Sequence, residues 1–272
     1  MRRTAWRGKN FRRRRTIKNG EERGHRRRQR LTCVRMVRLV LFDIDGTLVH
    51  TGHAGTKAFA QTFAHIFGLK HGAEKMKFAG RTDISLVREF FKIHGVPESR
   101  DNFQQFFENY VFWLAHILGH SIGRECEGVR NFIADLLALP QPPVLGLLTG
   151  NICLGAEIKL RHFGLWDYFV TGGFADDHEE RNHIAVAALA RGRRVLDPHL
   201  QPQEIVVIGD TPFDVKCGKF IGAKTLAVAT GGSKFEELKP CGADWTVQDL
   251  TQISARDICP RTVPANPGIN LG

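Results

Sequence analysis

The sequence contains no apolar run that approaches the roughly 18 residues needed to span a bilayer. The longest such run near its start, Leu39 to Phe42, has the length of a strand. Its six cysteines are scattered and include no C-x-x-C pair, so no disulfide framework is indicated. These absences predict a chain without a membrane span that works in a reducing cytoplasm.

Acidic residues are almost missing from residues 1–35, which hold fifteen Lys and Arg side chains but only Glu21 and Glu22. The rest of the chain carries 24 basic and 26 acidic side chains, so the net charge of +11 belongs to this segment alone. The body of the protein is not basic, and its charge gives no indication of a nucleic-acid partner.

The basic segment, residues 1–35, lacks apolar periodicity, which predicts a disordered tail. It contains no serine and no apolar stretch behind its charges, which argues against an export or import signal. Two interpretations stay open. The segment is either an arm that binds nucleic acid or an upstream stretch from a misassigned start, with Met36 as the first residue.

The body begins with a nearly continuous apolar run, as expected of a strand buried on both faces of a parallel sheet. Runs of this kind cover Val37–Phe42, Val144–Leu148, Ile205–Ile208 and Thr225–Val228. Each is soon followed by Gly, Asp or Thr, and a helical pattern follows the second and third. This alternation predicts an α/β fold with a doubly wound, Rossmann-like parallel sheet.

About a hundred residues between the first two runs contain amphipathic helical patterns instead, near 55–67, 83–94 and 103–119. They predict an inserted helical cap, and the helical pattern of Glu127–Leu139 returns the chain to the main domain. The expected organisation is a core of residues 36–51 and 123–255, a cap of residues 52–122, and a loose C-terminal tail of residues 256–272.

The first motif that carries chemistry is LVLFDIDGTLV, residues 39–49. Asp43 and Asp45 follow a buried strand, and their spacing of two puts both carboxylates on one side while Ile44 points away. Ligands of open α/β sheets bind at this edge of the strands. Gly46 permits the sharp turn that follows.

The second motif, LLTGN at residues 147–151, also ends an apolar strand. Thr149 offers a hydroxyl, Gly150 a backbone N–H and Asn151 an amide, and together they suit the oxygens of a phosphate. By itself T-G-N is an ordinary turn, so this motif gains weight only beside the others.

The third motif is VIGDTPFDV, residues 207–215, in which Asp210 follows a strand and Asp214 begins a helix. Two carboxylates ~4 Å apart repel each other by about 4 kcal/mol at an effective dielectric near 20. Several of them around a phosphate therefore require a cation. Oxygen ligands select Mg²⁺, so the sequence predicts a magnesium site.

These three motifs, D-I-D-G-T-L-V, L-L-T-G-N and G-D-T-P-F-D-V, in this order resemble those of the haloacid dehalogenase superfamily of phosphohydrolases. The resemblance covers about Met36 to Ile253. It implies that Asp43 is the nucleophile and Asp45 the general acid and base. It also implies that Thr149 binds phosphate, and that Asp43, Asp45 and Asp210, with Asp214 beside them, hold magnesium, Asp45 through its backbone carbonyl.

The superfamily also has a Lys or Arg that steadies the nucleophile and the phosphate, but its common K-P-x-P pattern is absent here. Arg181 lies at about the right distance and is the preferred candidate for this role. Lys159, in the helix after Asn151, is the alternative. Whichever of the two does not fill the role is expected to be a surface charge.

The loop K-F-A-G-R-T-D, residues 77–83, resembles the corresponding loop of phosphoglycolate phosphatases. Arg81 and Thr82 are therefore candidates for reading the substrate, with Arg81 paired to a substrate carboxylate. The alternative interpretation makes Asp83 a helix N-cap and Arg81 a solvated loop charge.

The resemblance implies a Mg²⁺-dependent phosphomonoester hydrolase that acts on a small phosphorylated metabolite through an aspartyl phosphate. A phosphomutase of the same superfamily shares both aspartates and stays open as an alternative. The presence of Asp45 argues against dehalogenase activity. A nucleic-acid-binding protein that uses the basic tail is the alternative from another class.

Overall fold

The computed structural model describes residues 36–72 and 76–260. The expectations for residues 1–35, a disordered tail or a misassigned start, lie outside these ranges. The strands are β1 Leu39–Phe42, β2 Val49–His50, β3 Arg124–Glu125, β4 Val144–Leu148, β5 Thr171–Gly173, β6 Ile205–Gly209, β7 Lys224–Val228 and β8 Trp245–Val247. The helices are α1 Ala54–Phe67, α2 Asp83–His94, α3 Arg100–Leu118, α4 Val129–Leu137, α5 Cys153–His162, α6 Arg181–Val195, α7 Pro212–Phe220, α8 Phe235–Leu238 and α9 Ala255–Ile258.

Six strands form one parallel sheet in the order β5-β4-β1-β6-β7-β8. The chain moves outward from β1 in both directions, so the sheet is doubly wound, and the expected α/β fold is confirmed. The central strand β1 is fully buried because both faces are covered by helices. Its carboxyl end lies between those of β4 and β6, the strands that precede the second and third motifs.

The side chains of β1 alternate between two apolar clusters. Val40 and Phe42 pack with α4 and α5 on one face of the sheet. Leu39 and Leu41 pack with α6 on the other face. This alternation is the period of two that a strand imposes, and it fixes the direction in which the residues after Phe42 point.

Helices α1, α2 and α3 share an apolar cluster of their own, rich in aromatic side chains. Phe63 of α1 stacks on Phe90 of α2, and the rings of Phe63 and Phe106 of α3 have centroids 4.5 Å apart. We propose, from this separate cluster, that residues 52–122 act as a cap over the sheet. None of the described helices is both long enough and apolar enough to cross a bilayer.

The two segments that join this helical region to the core pair with each other as the antiparallel strands β2 and β3, with His50 opposite Arg124. This strand pair was not predicted from the sequence. The expectation of a loose tail from residue 256 is wrong for its first residues, because α9 buries Ile258 against the core and Cys259 follows it there. Residues 261–272 lie outside the described ranges.

Candidate active site

The first two aspartates lie where β1 ends. The backbone N–H of Asp43 donates to the Ile208 carbonyl at 2.9 Å, which continues the pairing of β1 with β6. Asp43 is 6% exposed, the side chain of Asp45 is 44% exposed, and Ile44 between them is fully buried. Gly46 turns the chain with a φ of 86°, and a Cβ there would lie 2.6 Å from the Asp210 carboxylate. This turn therefore requires glycine.

The polar residues after β4 form a hydrogen-bonded network with Asp45. The Asn151 amide donates to Asp45 Oδ2 and to Thr149 Oγ1, both at 2.8 Å. Thr149 and Asn151 are buried, and Gly150 lies beside them on the same cavity. The structure therefore brings the second motif into contact with the first.

The residues after β6 complete the site. Thr211 is the N-cap of α7, and its backbone N–H and hydroxyl donate to Asp214 Oδ2 at 3.0 and 2.6 Å. The hydroxyl of Thr47, in the turn after β1, donates to Asp210 Oδ1 at 3.2 Å. Asp214 thus caps its own helix and also turns a carboxylate oxygen toward the site.

Carboxylate oxygens of Asp43, Asp210 and Asp214 lie within 4.8 Å of one another, and all three residues are buried. Arg181 is the cation that contacts this group, donating to Asp43 Oδ1 at 3.2 Å and to Asp214 Oδ1. Three carboxylates and one guanidinium leave two negative charges uncompensated. A divalent cation with oxygen ligands fits this donor set.

The pKa directions follow from burial and from the closeness of the carboxylates. Burial and then Asp214 raise the pKa of Asp43 above its ordinary value, against the opposing effect of Arg181. Burial, Asp214 and Asp43 raise the pKa of Asp210 as well. A divalent cation beside these carboxylates would lower both pKa values and so favour the ionised form that a nucleophile needs. The side chain of Asp45 is not part of this cluster, and its carbonyl as a metal ligand stays a prediction.

The expectation that either Arg181 or Lys159 is a surface charge is wrong. Arg181 contacts Asp43, while Lys159 is 4% exposed and donates to Asp45 Oδ2 and Asn151 Oδ1, each at 2.6 Å. Lys159 lies on the buried face of α5 with Gly155 and Ala156. The two cations serve different aspartates, and the phosphate-steadying role stays a prediction for both.

The loop 77–83 lies against the loop after β4, but the contacts of Arg81 and Asp83 differ from both interpretations given for them. Arg81 is neither free nor solvated, since it pairs with Glu89 and donates to the Ser85 carbonyl at 3.2 Å. Thr82, not Asp83, is the N-cap of α2, and its hydroxyl donates to the Glu179 carbonyl. Thr82 therefore joins the cap to the core, and its substrate-reading role stays a prediction.

Asp83, which the sequence analysis treated only as a possible cap, is the first residue of α2 and is buried. Its carboxylate accepts a hydrogen bond from the Ile152 N–H at 2.8 Å, and its own N–H donates to the Gly150 carbonyl at 2.8 Å. Burial raises the pKa of Asp83 to about 7, although Lys159 and the Ile152 N–H lower it. Asp83 thus ties the cap directly to the loop after β4.

A cavity of about 480 Å³ lies between the three strand ends and the helical region. Its walls include Asp43, Asp45 and Asp210 from the core and Phe59, Phe78 and Tyr110 from the helical region. This volume is in the range of small-molecule sites. The arrangement can hold a phosphate and a divalent cation at one end and a small leaving group at the other.

Comparison with known proteins agrees with this geometry. Pyrophosphatase PpaX of Bacillus pumilus is 27% identical over 80% of this chain and 95% of its own length. The 2-deoxyglucose-6-phosphate phosphatase 1 of Saccharomyces cerevisiae is 28% identical over 79% of this chain and 89% of its own. The alignments with this chain therefore span almost the full length of both relatives.

Solved structures share the fold. CbbY from Rhodobacter sphaeroides, in complex with phosphate, superposes with a TM-score of 0.63 at 18% identity, covering 80% of this chain and 96% of that one. The β-phosphoglucomutase of Clostridium difficile superposes with a TM-score of 0.63 at 17% identity, covering 82% of this chain and 96% of that one. The sequence profile of the haloacid dehalogenase-like hydrolases matches residues 40–228. The chain belongs to the haloacid dehalogenase-like hydrolase family.

Proposed function

We propose that the protein is a Mg²⁺-dependent phosphatase that hydrolyses a small phosphorylated molecule through a phosphorylated Asp43. The observation that carries the proposal is the meeting of Asp43, Asp210 and Asp214 within 4.8 Å at the ends of two neighbouring strands. The two uncompensated negative charges of this group would be balanced by one divalent cation. The relatives named for pyrophosphate and for a sugar phosphate support a small phosphorylated substrate.

Asp43 is placed to act as the nucleophile. Its Oδ1 accepts a hydrogen bond from Arg181 at 3.2 Å, which orients the carboxylate on the cavity wall. A carboxylate oxygen of Asp43 attacks phosphorus in line as the bond to the leaving oxygen breaks, which gives an aspartyl phosphate. A bound Mg²⁺ would be held by Asp43 and Asp210, with Asp214 beside them, and would offset charge on the phosphoryl oxygens.

Asp45 is placed to move the proton. Lys159 and Asn151 fix one carboxylate oxygen, Oδ2, and the side chain is otherwise open to the cavity. In the first half-reaction Asp45 gives a proton to the departing oxygen. In the second it takes a proton from the water that attacks the aspartyl phosphate, so Asp43 is regenerated and inorganic phosphate leaves.

The phosphate group would occupy the space between the two aspartates and the loop after β4. The Thr149 hydroxyl and the backbone N–H of Gly150 are the donors offered there, with Arg181 on the side of Asp43. The cap loop, residues 77–83, lies over this position, because the backbone N–H of Asp83 at its end donates to the Gly150 carbonyl. Closure excludes bulk water from the reacting atoms.

The test is phosphate release by the full chain from a panel of phosphorylated sugars, acids, nucleotides and pyrophosphate. We expect release with Mg²⁺, none with excess chelator, and recovery when Mg²⁺ is restored. Activity that persists in chelator would contradict the cation's role. Conversion of a sugar phosphate to its isomer in place of phosphate release would identify a phosphomutase.

A further inference from the structure

Four cationic side chains line the cavity: Arg81, Arg124, Lys159 and Arg181. Three of them have a carboxylate partner, as described above. The guanidinium of Arg124 makes no hydrogen bond and no ion pair with any residue in the described ranges. It is therefore the cation on the cavity wall whose charge the protein leaves uncompensated.

Arg124 is an exposed residue that lines the cavity, and its backbone lies in the short antiparallel pair of β2 and β3. Its partner across the pair is His50, and residues directly opposite in such a pair extend to the same side. Both side chains line the cavity. The strand pair thus places a guanidinium and an imidazole together, on the segments that join the cap to the core.

The first turn of α1 faces the same space. Its N-cap, His53, has a φ of 64°, and no side chain caps the helix or places an acid in its first turn. The first N–H groups of a helix have no intrahelical acceptor and carry partial positive charge. Gly55 and Thr56 of this turn line the cavity. A 14-residue helix thus presents an uncapped N-terminus to a ligand space.

Tyr110 of α3 is an independent indication of a ligand. The residue is 1% exposed and lines the cavity, and its hydroxyl makes no hydrogen bond among the described residues. Because Tyr110 lines the cavity and its hydroxyl has no protein partner among the described residues, a ligand in the cavity is an available acceptor for this hydroxyl. A Cβ built on Gly55 would lie 3.8 Å from this hydroxyl and 3.6 Å from Lys159 Nζ. The phenol is thus close to both the first turn of α1 and Lys159.

The phenol is a donor and not an anion. Burial, with the nearby Asp83 and Asp45, raises the pKa of Tyr110 well above its ordinary value. The neutral hydroxyl, the uncapped turn of α1 and the free guanidinium of Arg124 are all donors. Three sets of donors that line one cavity favour a ligand group that accepts hydrogen bonds and carries negative charge.

We infer that this wall of the cavity is a subsite for an anionic group on the leaving group of the substrate, a carboxylate or a second phosphate, bound by Arg124, the first turn of α1 and the Tyr110 hydroxyl. The inference rests on the proposed phosphatase function and names its substrate class. Arg124 thus takes the role of recognising the charge of the substrate in place of Arg81, which is paired with Glu89.

The test compares matched substrates on the full chain with Mg²⁺. One pair is phosphoglycolate against 2-hydroxyethyl phosphate, which differ in the carboxylate, and the other is pyrophosphate against methyl phosphate, which differ in the second phosphate. We expect kcat/KM to favour the anionic member of at least one pair, and the pair that shows it identifies the anion. In Arg124→Gln we expect this preference to fall about 10- to 100-fold, as for loss of a charged hydrogen bond.

Arg194→Gln is the matched control, since Arg194 is exposed, lies near the end of α6 and does not line the cavity. It should keep the wild-type preference, while Tyr110→Phe should reduce it in the same direction as Arg124→Gln. Two results would overturn the inference and leave the phosphatase proposal standing. One is a higher kcat/KM of the wild type for the neutral members, and the other is an Arg124→Gln variant whose kcat/KM ratio between paired substrates equals that of the wild type. No phosphate release from any of the four substrates would also overturn the inference, whereas the phosphatase proposal would fall only if the full panel of substrates gave no release.

Discussion

The buried carboxyl of Asp83 should give the protein a pH-dependent stability that Asp83→Asn removes. The pKa of Asp83 is raised from 3.8 to about 7, mainly by burial, with Lys159 and the Ile152 N–H opposing and Asp45 and Asp176 reinforcing the shift. The folded state therefore binds more protons than the unfolded state between these two pKa values. Stability must fall as the pH rises through this window, and the loss is complete above pH 7.

The size of the effect follows from the shift. A pKa shift of about 3 units corresponds to a total loss of roughly 4 kcal/mol in the free energy of unfolding. About 2–3 kcal/mol of this loss should occur between pH 5 and pH 8. Asparagine keeps an oxygen that can accept from the Ile152 N–H but cannot ionise. The free energy of unfolding of Asp83→Asn, taken relative to wild type, should therefore rise by about 2–3 kcal/mol over this range.

The assay is urea unfolding at several pH values in Mg²⁺-free buffer, with stability extrapolated to zero denaturant. Asp135→Asn controls for the loss of an exposed aspartate on α4. A difference between Asp83→Asn and wild type that does not change with pH would refute the reasoning, because it would mean that burial does not hold this carboxyl protonated.

Two further perturbations act on the site itself. Lys159→Met removes the ion pair that fixes Asp45, so we expect kcat to fall by about 10²- to 10⁴-fold, the range for general acid–base catalysis. Steady-state kinetics beside Lys57→Met, an exposed lysine of α1, would measure it, and near-normal kcat would show that Lys159 is only structural. Gly150→Ala puts a Cβ 2.2 Å from the Arg81 carbonyl, which should displace the cap loop and lower kcat/KM at least tenfold. An unchanged kcat/KM in that variant would argue against close contact between the two loops during turnover.

The sequence predicted the parts of the site that lie at the ends of buried strands. Continuous apolar runs such as Val144–Leu148 mark strands of a parallel sheet, and their order of appearance places Asp43, Thr149 and Asp210 at one edge. The strand bounds differ by two residues or fewer from the predicted ones. This part was predictable because a single local pattern fixes both the burial of a strand and the position of its end.

The sequence could not predict the contacts that join distant segments without a local pattern. The strands β2 and β3 are only two residues long, so His50 and Arg124 show no alternation that could reveal their pairing. The burial of Asp83 depends on how α2 docks against the loop at Ile152, which neither segment encodes alone. The burial of Lys159 was also missed, because α5 carries charged residues on several faces and its sequence marks no clear apolar face.

Intact-protein mass spectrometry of Asp45→Asn would show directly whether Asp43 becomes phosphorylated during turnover. With Mg²⁺ and 4-nitrophenyl phosphate, whose leaving group needs no acid, the first step should proceed while hydrolysis of the aspartyl phosphate is slowed. We expect a gain of one phosphoryl group that maps to the peptide containing Asp43 and is absent from the Asp43→Asn, Asp45→Asn double variant. Phosphorylation at another residue, or in the double variant, would contradict this expectation.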